Sequence, residues 1–350
     1  MKALLVGPEN PHFIGHLRTL QCLDEVAEIH LAACDDGDAP LLEEARLAHP
    51  AKVMSTGADV VTMLQQHKFD FVVGCPRNDR CASVYERVLG AGIPLLAEKP
   101  IGRNAAEVGR VVEQANRAAV PLGVFYVNRL HPAVQAARNF VRDGLLGELM
   151  AVELRWYTTQ PKFRDPKHWL FNRALSGGGI VQWLGCHLID LAHHVTGEEI
   201  TNAAGALATR SGEAIDVEDA AAIIMKFAGG AVGSLDCGFV LAQSGGGYYN
   251  RAGNDTHVAF IGTQGRVWWT PTETPCVVHF ESTQASWAHA PRRELRCELP
   301  ESPAYGGVHG LAFVQAFMRA TQGAGAPVAT GDDALRVARV TDLIYANAIT

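Results

Sequence analysis

The sequence predicts an α/β fold in two parts: a doubly wound parallel sheet of the dinucleotide-binding type over residues 1–122, then an α+β domain with an open, mostly antiparallel sheet over residues 123–350. Three observations predict it. Short apolar runs alternate with helical stretches through residues 1–122, the pattern of a right-handed wound sheet. From about residue 123 the texture changes to strand-like runs joined by glycine-bearing turns such as Gly229-Gly230 and Gly262-Thr263-Gln264-Gly265. Finally, 350 residues are many for one core, so two domains are expected.

In chain order, residues 2–6 form a strand, a Gly/Pro/Asn loop follows, and residues 14–23 have helical spacing; strand, tight loop and helix open a Rossmann-type nucleotide unit. The run at residues 28–34 is a second strand ending at Asp35, where an acid holds the adenosine ribose hydroxyls and repels a 2′-phosphate. This favours NAD over NADP, although Asp35 reads equally well as a turn acid. The loop fits the glycine pattern poorly. Counted from Gly7, the second and third glycine slots hold Glu9 and His12, and Pro8 and Pro11 each remove a backbone donor. A pyrophosphate here requires Glu9 to point away, with His12 or His16 as donors.

Residues 69–75 give another strand, closed by Pro76, and residues 82–90 a helix. The run Leu95-Leu96-Ala97 then stops abruptly at Glu98-Lys99-Pro100 before a helix at residues 105–119. Ligands of open α/β sheets bind outside the carboxyl ends of the strands, so Lys99 stands where a functional lysine belongs. In the second part, residues 132–143 are helical. Strands are expected at 149–157, 220–227, 231–240, 257–261, 267–270 and 276–281, and terminal helices at 308–321 and 331–349. Such a sheet keeps one face for helices and offers the other to a second copy, so a homo-oligomer through the C-terminal sheet is expected.

The composition is globular, with 48% hydrophobic and 19% charged residues. A net charge of −7 gives no electrostatic reason for nucleic acid or an anionic membrane as partner. The eight cysteines lack a Cys-x-x-Cys pair and read as buried thiols of a reducing compartment. No apolar run reaches spanning length and the start has no signal-peptide core, so the expectation is cytoplasmic.

Three glycines, Gly177 to Gly179, lead into an apolar segment read as a helix carrying His187, Asp190 and His194 on one face. A carboxylate three residues along can fix a histidine tautomer, so no metal is expected.

Glu98-Lys99-Pro100 and Gly177-Gly178-Gly179 followed by Gly185-Cys186-His187-Leu188-Ile189-Asp190 resemble the Gfo/Idh/MocA family of nicotinamide-dependent oxidoreductases. Asn128-Arg129-Leu130-His131-Pro132, Val217-Glu218-Asp219, Gly331-Asp332-Asp333 and Ile344-Tyr345-Ala346 follow in the family's order, so the resemblance covers nearly the whole chain. It implies that Lys99 meets the hydroxyl to be oxidised, with His187 as partner acid or base. It further implies that Glu98 and Pro100 shape the nicotinamide side of the pocket, that Gly7, His12, Asp35 and Pro76 contribute to the cofactor site, and that Asn128 and Arg129 line the substrate cleft. The substrate implied is a sugar, cyclitol or related polyol.

Hydride transfer from a secondary alcohol needs the hydroxyl proton removed as the hydride leaves, so a base within hydrogen-bond reach is required. A lysine serves if its pKa is lowered, or it stabilises the alkoxide while histidine takes the proton. The chain departs from the family at the aspartate usually found four residues before the histidine, where it has Trp183. An indole cannot accept a hydrogen bond from imidazolium, which leaves Asp190 or Gln182 to orient His187. Trp183 can instead form a platform for a sugar ring, with Trp169 and Trp156 as companions. Arg77 and Arg80 replace the family's usual asparagine and histidine. Two other functions fit the motifs: a sugar or dinucleotide sensor without turnover, and a redox-neutral elimination or glycoside cleavage with tightly bound NAD.

Overall fold

The structure, a computed structural model, describes residues 1–242 and 253–349. Among them the chain forms two compact units, Met1–Leu130 with Pro300–Arg336, and residues 131–299 with residues 337 onward.

In the first unit, strands β1 (Lys2–Val6), β2 (Glu28–Ala32), β3 (Val53–Gly57), β4 (Phe71–Gly74), β5 (Leu95–Ala97) and β6 (Leu122–Val124) form one sheet in the order β3-β2-β1-β4-β5-β6. Every pair is parallel. Helices α1 (Phe13–Cys22), α2 (Ala39–Ala48), α3 (Val60–Gln66), α4 (Asn78–Gly90) and α5 (Ala105–Ala118) join the strands. Helices on the faces of a parallel sheet bury both sides of its inner strands, which explains the unbroken apolar runs of β1 and β4. The strand order reverses between β1 and β4, and ligands of open sheets bind outside the carboxyl ends of the strands at such a point. There Gly7 has φ +96°, and a Cβ on it would lie 2.4 Å from Cys75 O and from Pro76 N. Only glycine fits this left-handed turn pressed against the end of β4.

In the second unit, α6 (Pro132–Arg142), α7 (Arg173–Ser176) and α8 (Cys186–Thr196) accompany β7 (Leu149–Thr159), β8 (Ile200–Ala208), β9 (Ala220–Phe227), β10 (Val232–Leu241), β11 (Asn254–Gly262), β12 (Gly265–Trp269), β13 (Cys276–Ser282), β14 (Arg292–Cys297) and β15 (Ala348–Ile349). Their sheet runs β14-β13-β12-β11-β7-β10-β9-β8-β15, antiparallel except at β10/β7 and β15/β8. Period-two burial marks its two faces: Ala221, Ile223, Met225 and Phe227 of β9 are buried, whereas Ile224 is 69% exposed.

Helix α9 (Gly307–Thr321) belongs to the first unit, and α10 (Gly331–Ala346) contributes residues to both. A single cut after residue 122 therefore does not reproduce the division. Residues 123–130 stay with the first unit because Phe125 continues its sheet, donating from its N–H to Ala97 O at 2.9 Å, and stacks on Tyr305 at 5.4 Å.

All eight cysteines are free, but they are not uniformly buried: Cys22, on the solvent side of the last turn of α1, is exposed and Cys34 is half-buried. Among the described residues no helix is long and apolar enough to cross a membrane.

Candidate functional site

The apolar strand β5 delivers Glu98 and Lys99 to the carboxyl edge of the first sheet, with a cis peptide between Lys99 and Pro100. Asn104 then starts α5 by accepting from Glu107 N at 2.9 Å, a side-chain cap on the helix terminus. Glu98 and Lys99 are 2% and 1% exposed. Burying a carboxylate is costly without partners, and here they come from the start of α1. His12 Nδ1 lies 3.1 Å from Glu98 Oε1, and His16 Nε2 lies 2.7 Å from Oε2. Burial alone would raise the pKa of Glu98, but His12 and His16 outweigh it and hold the carboxyl well below its ordinary value. Burial, opposed by Glu98, takes His12 down to about 4. Lys99 Nζ stands 3.8 Å from Glu98 Oε1.

The expectation that His12 donates to a cofactor phosphate is not met. Its ring is fully buried and is spent on Glu98 and on the Tyr305 hydroxyl, 3.1 Å from Nδ1 and 3.3 Å from Nε2. His16 is likewise turned to Glu98, because one helical turn places both histidines on the face of α1 that meets the end of β5.

Glu9 does point away, as a pyrophosphate in this loop would require. Its Oε1 accepts from Arg77 N at 3.0 Å and lies 3.5 Å from Arg80 Nη1. Burial, partly offset by the Arg77 N–H, raises its pKa. Arg80 also binds Asp38, at 2.6 Å, and pairs with Asp35. Asp35, the expected ribose acid, stands after β2 and accepts from Gly37 N at 3.0 Å. Pro76 is buried beside Gly7.

Arg129, expected to line the substrate cleft, is instead tied down inside the first unit. Its Nη1 lies 3.0 Å from Asp333 Oδ2 and donates to Val328 O at 3.1 Å, and the side chain is 7% exposed. A buried guanidinium needs such a carboxylate partner, so packing claims it. Asn128 is half-buried in the short turn Val127–Leu130.

In the second unit the three glycines do not run directly into an α-helix. Gly177 ends α7 with φ +84°, Val181–Gly185 makes a wider π-type turn, and α8 begins at Cys186. Trp183 and His187 are thus not separated by one regular α-turn. His187 is buried, with the indole of Trp156 stacked at 6.0 Å; Trp183 meets Trp169 edge-on at 6.1 Å. Asp190 is buried on α8. Among the described residues no group of three or more His, Cys, Asp or Glu side chains is placed to hold a metal, His187, Asp190 and His194 included.

The residue that organises this turn is Glu218. Its Oε1 accepts from Gly179 N at 2.9 Å, Val181 N at 3.2 Å and the Tyr345 hydroxyl at 2.8 Å, and Arg173 reaches Oε2 at 3.3 Å. Burial raises the Glu218 pKa against these bonds. A Cβ at Gly179 would sit 1.9 Å from Glu218 O, which explains the third glycine. Sequence reasoning placed Glu218 and Tyr345 in ordered motifs but missed this role, as it missed Tyr305; neither pairing has a short-range signal.

Comparison with known proteins agrees with this architecture. The family model of the Gfo/Idh/MocA C-terminal domain matches residues 134–268. D-apiose dehydrogenase of Paraburkholderia graminis is 29% identical over 230 residues, covering 66% of this chain and 58% of that protein. Inositol 2-dehydrogenase of Rhizobium meliloti is 31% identical over 165 residues, 46% of this chain and 48% of that one. The matched stretches thus span about half the length of these relatives. A solved levoglucosan dehydrogenase in complex with NADH and levoglucosan superposes with a TM-score of 0.84 at 19% identity, covering 99% of this chain and 96% of that one. With the parallel sheet and the ordered motifs beside it, the stretch 134–268 is a C-terminal domain of the Gfo/Idh/MocA type.

Proposed function

We propose that the protein is a nicotinamide-dependent oxidoreductase that removes a hydride from a secondary hydroxyl of a sugar, cyclitol or related polyol, with NAD preferred to NADP. The observation that carries this reading is Lys99, buried at the carboxyl edge of a 3-2-1-4-5-6 parallel sheet beside an anchored carboxylate. The relatives named above are dehydrogenases of a sugar and a cyclitol, and the solved neighbour binds NADH.

The first unit has features that fit a dinucleotide. The Gly7 turn closes on the end of β4 at the switch point, Glu9 is drawn off by Arg77 and Arg80, and Asp35 stands after β2. When bound, nicotinamide supplies the hydride acceptor. Glu98 and Pro100 wall the edge of the site, Gly7 and Pro76 shape the approach to the pyrophosphate, and Asp35 receives the adenosine ribose. Lys99 binds the substrate hydroxyl and takes or stabilises its charge as the proton leaves. The family resemblance supports His187 as a second acid or base, and Trp169, Trp183 and Asp190 as substrate-recognition residues. The open face of the second sheet, with Ile224, Val232 and Ile349 exposed, supports a homo-oligomer.

The test is steady-state turnover over a polyol panel with NAD and NADP, for wild type and Lys99→Met. The expected result is absorbance at the reduced-nicotinamide band in wild type, a loss of about 10³-fold in kcat in the variant, and retained NAD binding. Turnover surviving in Lys99→Met sinks the assignment. Sugar binding without turnover would favour a sensor, and glycoside cleavage without net change in the cofactor band would favour the redox-neutral chemistry.

A further inference from the structure

Four ionisable side chains are buried together in the first unit, and the reading above gives the proton step to only one of them. His12, His16, Glu98 and Lys99 are each no more than 2% exposed. An ionised carboxylate can only accept hydrogen bonds, so the ring nitrogens that face it must carry protons. His16 Nε2 is within hydrogen-bond distance of Oε2, at 2.7 Å, and His12 Nδ1 faces Oε1 at 3.1 Å. With an imidazole against each oxygen, the carboxylate is confined on both sides. Oε1 is also the oxygen 3.8 Å from Lys99 Nζ.

The remaining groups around Glu98 leave its charge intact. The Tyr305 hydroxyl lies 3.1 Å from His12 Nδ1. The Cys75 thiol and the Tyr85 phenol also feel Glu98, but burial pushes both well above their ordinary pKa values and keeps them neutral.

We infer that His12 and His16 are positioning residues for the proton step: they clamp Glu98 as a fixed anion beside Lys99, and the clamped charge sets the pH dependence of that step. This inference rests on the proposed role of Lys99 and deepens it. In the step concerned, the substrate O–H bond breaks and an N–H bond forms on neutral Lys99 Nζ. The carbon-bound hydrogen leaves with its electron pair for the nicotinamide, which is reduced as the alcohol becomes a ketone. An anion beside Nζ stabilises the positive charge that gathers there as the proton arrives, and neutralising or releasing Glu98 withdraws that stabilisation.

The experiment is the pH profile of kcat/KM for polyol oxidation in wild type, Glu98→Gln and His16→Gln, each full-length and checked for folding by circular dichroism. Glu98→Gln is expected to move the limb governed by the base about one pH unit or more toward acid. His16→Gln should move it in the same direction by less. A merely structural role would lower the rate at every pH without moving the limb, and coincident limbs overturn the inference. Imidazole nitrogen NMR of the wild type provides a readout that needs no variant to fold. It should show His12 protonated at Nδ1 and His16 at Nε2 at neutral pH, and His12 in the opposite tautomer overturns the clamp. If the wild type turns over no polyol with any nicotinamide, the proposed function fails, whereas the clamp is still decided by the NMR.

Discussion

Arg80 Nη1 grips the carboxylate of Asp38 at 2.6 Å, and the same guanidinium pairs with Asp35, the acid that follows β2. In the proposed function Asp35, already paired with a cation, would receive the adenosine ribose, where a 2′-phosphate would otherwise have to sit. Replacing Asp35 by Ala should weaken NAD about tenfold, the worth of hydrogen bonds to a charged acceptor, and should improve NADP by exposing Arg80. Adding Arg80→Ala should cancel the NADP gain. Dissociation constants from cofactor titrations check both, and unchanged NADP affinity in the single variant would remove Arg80 from the specificity argument.

Glu218→Ala should unfold the turn that launches α8. The change strands two backbone N–H groups and the Tyr345 hydroxyl in a buried site. A loss of about 3 kcal/mol is expected, since each unsatisfied buried donor costs about 1–3 kcal/mol. Glu218→Gln keeps one accepting oxygen and should lose less. Urea unfolding measures both; equal stability of Ala and wild type would contradict the keystone role.

Acid should destabilise the protein through His12. Its pKa is held near 4 in the fold against an ordinary value of 6.5, so between these pH values the unfolded chain binds a proton that the native state does not. Stability conferred by the neutral, buried ring is complete above pH 6.5 and is lost as pH falls toward 4, by roughly 3 kcal/mol. Glu98, also held below its ordinary value, adds a loss of the same sign at lower pH. In urea titrations from pH 7 to 4, His12→Gln should show a shallower decline than wild type. Parallel curves would contradict this account.

Ile224→Glu tests the open face of the second sheet. Ile224 is exposed on β9 between buried neighbours, so the substitution leaves the core untouched and puts a charge into an apolar face. Sedimentation should shift toward the monomer with the melting curve of the isolated chain preserved. A protein that is monomeric before the substitution rules this interface out.

Elements whose residues carry their own signal were legible in the sequence. The burial of β1, β4 and β5 follows from unbroken apolar runs, and β9 alternates with period two. Other elements lacked such a signal. Strand β8 is rich in Ala and Gly, and β14 reads Arg-Arg-Glu-Leu-Arg-Cys, a charged strand at the end of the sheet order where charge discourages edge-to-edge pairing. Strand β3 is half-exposed and ends in Gly57, again without a continuous apolar run. At the site, Glu98 and Lys99 could be singled out because a strand end confines them. The partners of Glu98 could not: they come from 82 residues away at His16, and the contact is made by the packing of α1 on the sheet. For the same reason the wide turn at Val181–Gly185 was unreadable, since a π-type turn has no residue pattern that separates it from the α-helix it precedes.

The return of residues 300–336 to the first unit bears on how the protein is made. Tyr305 lies against His12, Gly15, His16 and Phe125, and its N–H donates to Thr19 Oγ1 at 2.9 Å. The first unit therefore cannot finish its packing when Leu130 is made, but only after residue 305 has followed. At roughly 5–20 residues per second that interval is roughly 10–35 seconds, in which strands β7 to β14 of the second unit are all synthesised. Neither unit is a continuous stretch of chain, since β15 of the second sheet comes last of all.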